Sequence, residues 1–306
     1  MAITGFTGNA QLDDATPPEQ LGRYIPTAYP TAVMDAWCFA LGGHDIITGT
    51  NVKSYPRLGS LAAAGLTQGT DASPTALSDS QRSITLAEHG VGVAYGDQLA
   101  ITTVTAGGIT AAQALMRRGY GDRVDSQLLT LNTSFTDTVG VSAAAMTEDR
   151  FLQAVHELEE NDVPGPYFCV LNTTPVDQLR VAIGGASANT GPIFMRNDMI
   201  SRIGPQLPNA YVFTLFQCDV FQSRNCPLNT SSADRVGGMY PQNPEYFPIR
   251  RLIGKFAEGP WAGQVWDGRY TEERDESGRL TELWLTGLWN TGLVALDFGV
   301  GMISGI

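Results

Sequence analysis

The residues able to do acid–base, nucleophilic or metal chemistry are few and scattered along the chain. His44, His89 and His156 are its three histidines. His156-Glu157 opens like the zinc-protease pattern H-E-x-x-H, but Glu160 stands where the second histidine would complete the ligand pair, so it reads as a helix-surface histidine. His44-Asp45 and His89 lie in polar surroundings with no Ser or Cys motif beside them, and G-x-S-x-G does not occur, so a nucleophilic triad is not expected. Lys53 and Lys255 both lie outside glycine loops, and Gly90-Val91-Gly92 and Gly299-Val300-Gly301 lack the third glycine of a dinucleotide turn. Glu272, Glu273, Asp275 and Glu276 can be read as calcium ligands, but without loop spacing they read better as a solvated hairpin tip. Cys38, Cys169, Cys218 and Cys226 form no C-x-x-C; Cys169 sits in the apolar run Tyr167 to Leu171 as a buried thiol, and Cys218 and Cys226 could pair, though a disulfide is not expected. The expectation is a protein that is not an enzyme, with no catalytic residues, no cofactor and no metal site.

Composition agrees with a large folded body. The 306 residues are 43% hydrophobic, enough for one large or two medium cores, and 34 Gly with 17 Pro imply many turns. Lys+Arg 19 against Asp+Glu 31 leave a net charge of −12, which repels phosphate backbones and anionic lipid surfaces. Sequence-specific nucleic-acid binding and membrane binding are therefore not expected; Arg117-Arg118 and Arg250-Arg251 read as solvated element ends. Met1 to Phe6 lacks a charged and then apolar leader, and no apolar run approaches the roughly eighteen residues that span a bilayer, so the expected place of synthesis is the cytoplasm.

The elements that must position any function begin with an arm, residues 1–46, that mixes Pro17-Pro18 and Pro26 with one apolar run from Val33 to Leu41. From Asn51 to Thr103 the chain reads as two extended limbs with a polar tip, Thr67 to Pro74 and on through Gln81, too poor in large apolar groups for a core of its own. Its return limb alternates through Ile84 and Leu86, then through Val91, Val93 and Tyr95, and the change of phase at His89-Gly90 predicts a β-bulge. Ile109, Ala112, Met116, Tyr120, Val124, Leu128 and Leu131 recur at helical spacing and predict a long amphipathic helix, in which Gly119 and Gly121 call for a bend or a close neighbour. A second helix is expected from the N-cap Thr147 to before Pro164, then a buried strand Tyr167 to Leu171, then a helix from Thr174-Pro175 to Gly184-Gly185. Ala210 to Val220 reads as one central strand and Cys226 to Pro248 as an irregular insertion. Gln264 to Thr271 with Leu280 to Leu288 reads as a hairpin, followed by a strand bearing Val294, Leu296, Phe298, Val300 and Met302 on one face. The small residues of its other face, Ala295, Gly299 and Gly301, would let a helix or another chain approach.

This succession resembles the major capsid proteins of tailed bacteriophages, the Hong Kong 97 type of shell fold. The resemblance rests on Gly65-Leu66-Thr67 through Ser83-Ile84-Thr85-Leu86, on Tyr95-Gly96, and on Asp125-Ser126-Gln127-Leu128-Leu129. It continues through Leu152 to Val163, Cys169-Val170-Leu171-Asn172, and Leu293-Val294-Ala295-Leu296-Asp297-Phe298. Each motif alone is weak, and their order carries the likeness. It implies an α+β fold with an N-terminal arm (1–46), an extended E-loop hairpin (47–103), a peripheral domain with a long spine helix (104–138), an α/β axial domain (139–255) and peripheral C-terminal strands (256–306).

The resemblance further implies self-assembly of pentamers and hexamers into an icosahedral virion shell around double-stranded DNA, assembled in the host cytoplasm. Cross-linked members of the family join a loop lysine to a neighbour's asparagine, but no lysine occurs from Gly59 to Thr103, so the implied grip is noncovalent and a cementing protein is a candidate partner. No long charged helical segment precedes the arm, so a separate scaffolding protein and a portal are the implied partners. The shell charge would repel packaged DNA from the inner wall and keep it mobile. Encapsulin-type compartments share the fold and remain an alternative. A tail or decoration protein would be all-β without the spine helix, and a cytosolic hydrolase would elute as a small oligomer.

Overall fold

The computed structural model describes residues 32–58, 79–96, 107–184, 210–229, 234–275 and 278–305. The chain runs α1 (Val33–Ala40), β1 (His44–Thr48), β2 (Val52–Leu58), β3 (Asp79–Thr85), β4 (Ala87–Gly96), α2 (Gly107–Thr130), a 3-10 turn (Leu131–Ser134) and β5 (Asp137–Val139). It continues with α3 (Glu148–Glu160), β6 (Tyr167–Leu171), α4 (Thr173–Gly184), β7 (Tyr211–Leu215), β8 (Cys218–Gln222) and β9 (Arg235–Pro241). The last strands are β10 (Ile249–Lys255), β11 (Arg269–Asp275), β12 (Leu280–Leu293) and β13 (Val300–Ser304). The fold is α+β.

Two larger sheets divide the strands. One has the order β1-β10-β12-β11, with β4 also paired to β12; the other has the order β5-β13-β9-β6-β8-β7. β2 and β3 form a separate antiparallel ribbon whose register runs from Val52↔Thr85 to Leu58↔Asp79. β12 shows plainly why it is a strand: Thr281, Leu283, Leu285 and Trp289 face inward while Trp284 and its even-numbered neighbours face outward, a period of two.

The main core lies between the sheets. α1 brings in Val33, Met34, Trp37 and Cys38, and α2 brings in Val124, Leu128 and Leu129. They meet Phe168, Phe221 and Tyr240 of the six-stranded sheet and Ile249, Ile253 and Trp289 of the other. Trp37 stacks on Phe168 at 4.3 Å, and Phe168 stacks on Tyr240 at 5.0 Å. A second core fills the opposite face of the six-stranded sheet, where Phe151, Val155 and Leu158 of α3 and Val176 and Leu179 of α4 cover Cys169, Val220, Met239 and Met302. α3 starts as its sequence dictates, with Thr147 accepting a hydrogen bond from the Arg150 amide and Glu148 and Asp149 in the first turn.

Several local expectations are corrected. There is no bulge at His89-Gly90: β4 pairs with β12 in unbroken register from Ala87↔Trp289 to Gly96↔Leu280. The phase changes at Leu86 instead, where the chain leaves the ribbon partner β2 and joins β12. Gly92 is small for a cross-strand reason, since a Cβ there would sit 2.6 Å from the Trp284 ring. The glycines of α2 are likewise not sites of close approach, because a Cβ on Gly119 or Gly121 meets nothing within 4 Å. The intimate contact comes from the sheet: Tyr120 reaches across to donate to Asp267 at 2.8 Å, and a Cβ on Gly287 would run into its hydroxyl.

Ala210 to Val220 is two strands, β7 and β8, turned at Phe216-Gln217, both of which adopt positive φ (47° and 62°) as a two-residue hairpin turn demands. Cys226 to Pro248 is not an irregular insertion, for it contains β9, paired on both sides with β6 and β13. Its Gly237-Gly238 lowers strand propensity but is required by crowding: a Cβ on Gly237 would lie 2.7 Å from the Val170 carbonyl oxygen. Residues 294–299 are not strand but the crossover from β12 in one sheet to β13 in the other. The small residues there do admit a close neighbour, since a Cβ on Gly301 would be 2.8 Å from the Asn132 carbonyl of the 3-10 turn.

Candidate assembly surface

β2 and β3 spring from the five-stranded sheet at a narrow root, where the Leu86 amide donates to the Asn51 carbonyl at 2.8 Å. Neither strand buries much beyond Ile84, which lies against Gly292 of β12. A two-stranded ribbon with so little apolar cover is marginal in water on its own. Its hold on the body is polar and follows the strand period: Lys53, Tyr55 and Arg57 alternate along β2, and each finds a carboxylate.

Lys53 Nζ lies 2.7 Å from Asp45 Oδ1, and the Tyr55 hydroxyl donates to Asp45 Oδ2 at 2.5 Å. Burial pushes the Asp45 carboxyl up, but these two bonds and the Lys53 charge outweigh it, so its pKa stays below the ordinary value. For the Tyr55 phenol, burial and then the Asp45 bond both act upward. Arg57 grips Asp297 with both terminal nitrogens, at 2.5 and 2.6 Å, and lies over the Phe298 ring at 4.8 Å. The hydrogen bonds from Arg57 hold the Asp297 pKa down, and the same pair raises that of Arg57.

Beneath the ribbon lies a polar groove of about 830 Å³ between β3 and the end of β12, lined among others by Arg57, Ser80, Arg82, Ser83, Thr136 and Asn290. Asn290 steadies its floor, donating to the Thr85 carbonyl at 2.7 Å and accepting from Gln127 of α2 at 3.0 Å. The body below is rigidly tied. Arg251 of β10, 3% exposed, bonds Asp35 of α1 at 3.1 Å and Asp267 at 2.6 Å and lies over Trp289 at 5.2 Å. Asp125 of α2 accepts from the Met34 amide at 2.6 Å and from Asn225 at 2.9 Å, capping α1 from a distance; burial lifts its pKa to about 6 against those bonds.

The residues singled out for chemistry do not converge. His156 is exposed on α3 beside Glu160 at 3.1 Å, His44 contacts Asp35 at 3.1 Å, and His89 lies against Trp289 with ring centroids 4.2 Å apart. All four cysteines are buried and free, Cys218 and Cys226 included. Glu272, Glu273 and Asp275 lie on β11, while Glu276 falls outside the described residues. Among the described residues no group of three or more His, Cys, Asp or Glu is placed to hold a metal ion, and no helix is long and apolar enough to cross a membrane. The polar tip Thr67 to Pro74 and the arm up to residue 31 also lie outside the described residues.

The groove and its clasp were not singled out from sequence. Lys53, Tyr55 and Arg57 at alternate positions were a visible signal, whereas Asp297 lies 240 residues from Arg57 and carried none.

No family model and no curated protein matches the sequence. Solved structures do. A structure from Mycobacterium phage Che8 superposes with a TM-score of 0.64 at 14% identity, over 93% of this chain and 96% of that one. The capsid of the cyanophage P-SCSP1u gives 0.64 at 11% identity, over 96% and 94%. An encapsulin complex, SrpI from Synechococcus elongatus, gives 0.61 at 10% identity, over 94% and 93%. The chain therefore has the Hong Kong 97-type shell fold over nearly its whole length, the fold of structural capsid proteins.

Proposed function

We propose that this chain is the major capsid protein of a tailed bacteriophage, a structural subunit that self-assembles into an icosahedral head around double-stranded DNA. The observation that carries the reading is the β2–β3 ribbon: it projects from a well-packed body, buries little of itself and is laid over a groove. A ribbon of that kind gains its cover from a neighbour, and many weak contacts repeated by symmetry hold a shell. In this reading residues 1–46 are the arm, 47–103 the E-loop, 104–138 and 256–306 the peripheral domain, and 139–255 the axial domain.

Pentamers and hexamers of the chain form the shell, assembled in the host cytoplasm with a separate scaffolding protein and a portal, and with a cementing protein as a further partner. The net charge of −12 favours an inner wall that leaves DNA mobile. The match to an encapsulin supports a second reading, a compartment that encloses protein instead of DNA. Deleting residues 67–81 tests the role of the hairpin: the account expects soluble subunits in place of particles, and particles formed by the deletion variant would overturn it. Nuclease-protected DNA in particles from infected cells separates the phage reading from the encapsulin reading.

A further inference from the structure

The groove beneath the ribbon carries an unspent positive charge. Arg57 is neutralised by Asp297, but Arg82, exposed and lining the same groove, has no ion-pair partner among the described residues. The chain carries the complementary feature at the far end of the same long strand. Glu273 of β11 stands directly opposite Glu282 of β12, and neither forms an ion pair among the described residues. Like charges placed directly across a ladder repel, so this corner favours an incoming cation.

Arg82 cannot reach that corner within its own subunit. Asn290, on the groove floor, follows Glu282 by eight residues of β12, a separation of about 26 Å at strand rise. A second copy placed head to tail can bring the two together, and the contact then repeats because every copy carries one groove and one acidic corner. Resting on the shell reading above, we infer that the groove under β2–β3 receives the acidic β11–β12 corner of a second copy of this chain, with Arg82 set against Glu273 and Glu282. The partner is another subunit because both complementary charges, Arg82 in the groove and Glu273 with Glu282 at the corner, are carried by every copy of one sequence. The contact also explains why a ribbon whose Arg82 has no ion-pair partner among the described residues is tethered over a polar slot instead of packed onto the sheet.

A charge exchange tests it, read by sedimentation and electron microscopy of the full chain. Arg82→Glu is expected to lower the assembled fraction at least about tenfold while leaving the melting temperature unchanged, because Arg82 is exposed and unpaired. Combining it with Glu273→Arg and Glu282→Arg should restore assembly. If wild type forms particles and Arg82→Glu forms them equally well, the contact is wrong while the shell reading stands. If wild type forms no particles even when expressed with its scaffold, the shell reading fails, and the contact is read separately by mixing Arg82→Cys with Glu273→Cys at high concentration. An interchain disulfide upholds it, and its absence overturns it.

Discussion

Arg57 and Asp297, 240 residues apart, meet in a two-pronged ion pair that fastens the β2–β3 ribbon to the crossover between the two sheets. Both side chains are more than a third or about a third exposed, at 43% and 34%, so solvent screens the pair and its net contribution is about 1 kcal/mol or less. Replacing Arg57→Gln should therefore change global stability little but free the ribbon, and hydrogen exchange at residues 79–85 should accelerate. Unchanged exchange would show that the Asp45 bonds to Lys53 and Tyr55, with Ile84 and Asn290, hold the ribbon without Arg57.

The seat of the long helix gives an opposed pair of outcomes. Gly287→Ala pushes a methyl into the Tyr120 hydroxyl and displaces it from Asp267, with an expected loss of about 1–3 kcal/mol in chemical denaturation. Gly119→Ala and Gly121→Ala meet open space inside a helix and should each stabilise by up to about 1 kcal/mol. Destabilisation by the helix alanines would mean that a surface absent from the single chain covers them.

The buried cap at Asp125 predicts a pH signature. Its folded pKa, about 6, lies above the ordinary 3.8, so its contribution is fully present below the unfolded value and is lost as pH rises through about 6. The stability difference between wild type and Asp125→Asn should therefore shift between pH 4 and pH 7, with wild type losing ground as pH rises. Curves that run parallel across that window would contradict the assignment.

Thiol chemistry reports the packing of both cores. All four cysteines are buried, and burial, then the nearby Asp35 charge, pushes the Cys38 thiol up to about 12. Native protein should react with a thiol reagent at pH 8 far more slowly than protein in denaturant, where four thiols titrate. Rapid labelling of one thiol in the native state would mark a core that opens.

What could be read from the sequence depended on whether the signal was local. The period of Met116, Tyr120, Val124 and Leu128 and the cap at Thr147 are written in neighbouring residues, and those elements stand as expected; the expected hairpin forms too, but its first limb lies at Arg269–Asp275 in place of Gln264–Thr271 and its second runs on to Leu293. β9 was missed because Gly237 and Gly238 look like turn residues until Leu171 and Tyr240 are seen to crowd them. The crossover at 294–299 alternates like a strand, yet its residues face two different cores. The assembly surface was half legible: the poverty of the ribbon in apolar residues showed that it needed cover, but the groove exists only because β3, Thr136 and the end of β12 come together in space.

The central claim is that this subunit builds a closed shell, and electron microscopy of the purified full-length protein, expressed with its scaffold if needed, tests it most directly. The account predicts hollow icosahedral particles of uniform diameter built from pentamers and hexamers. A population of monomers and small oligomers under every assembly condition would contradict it.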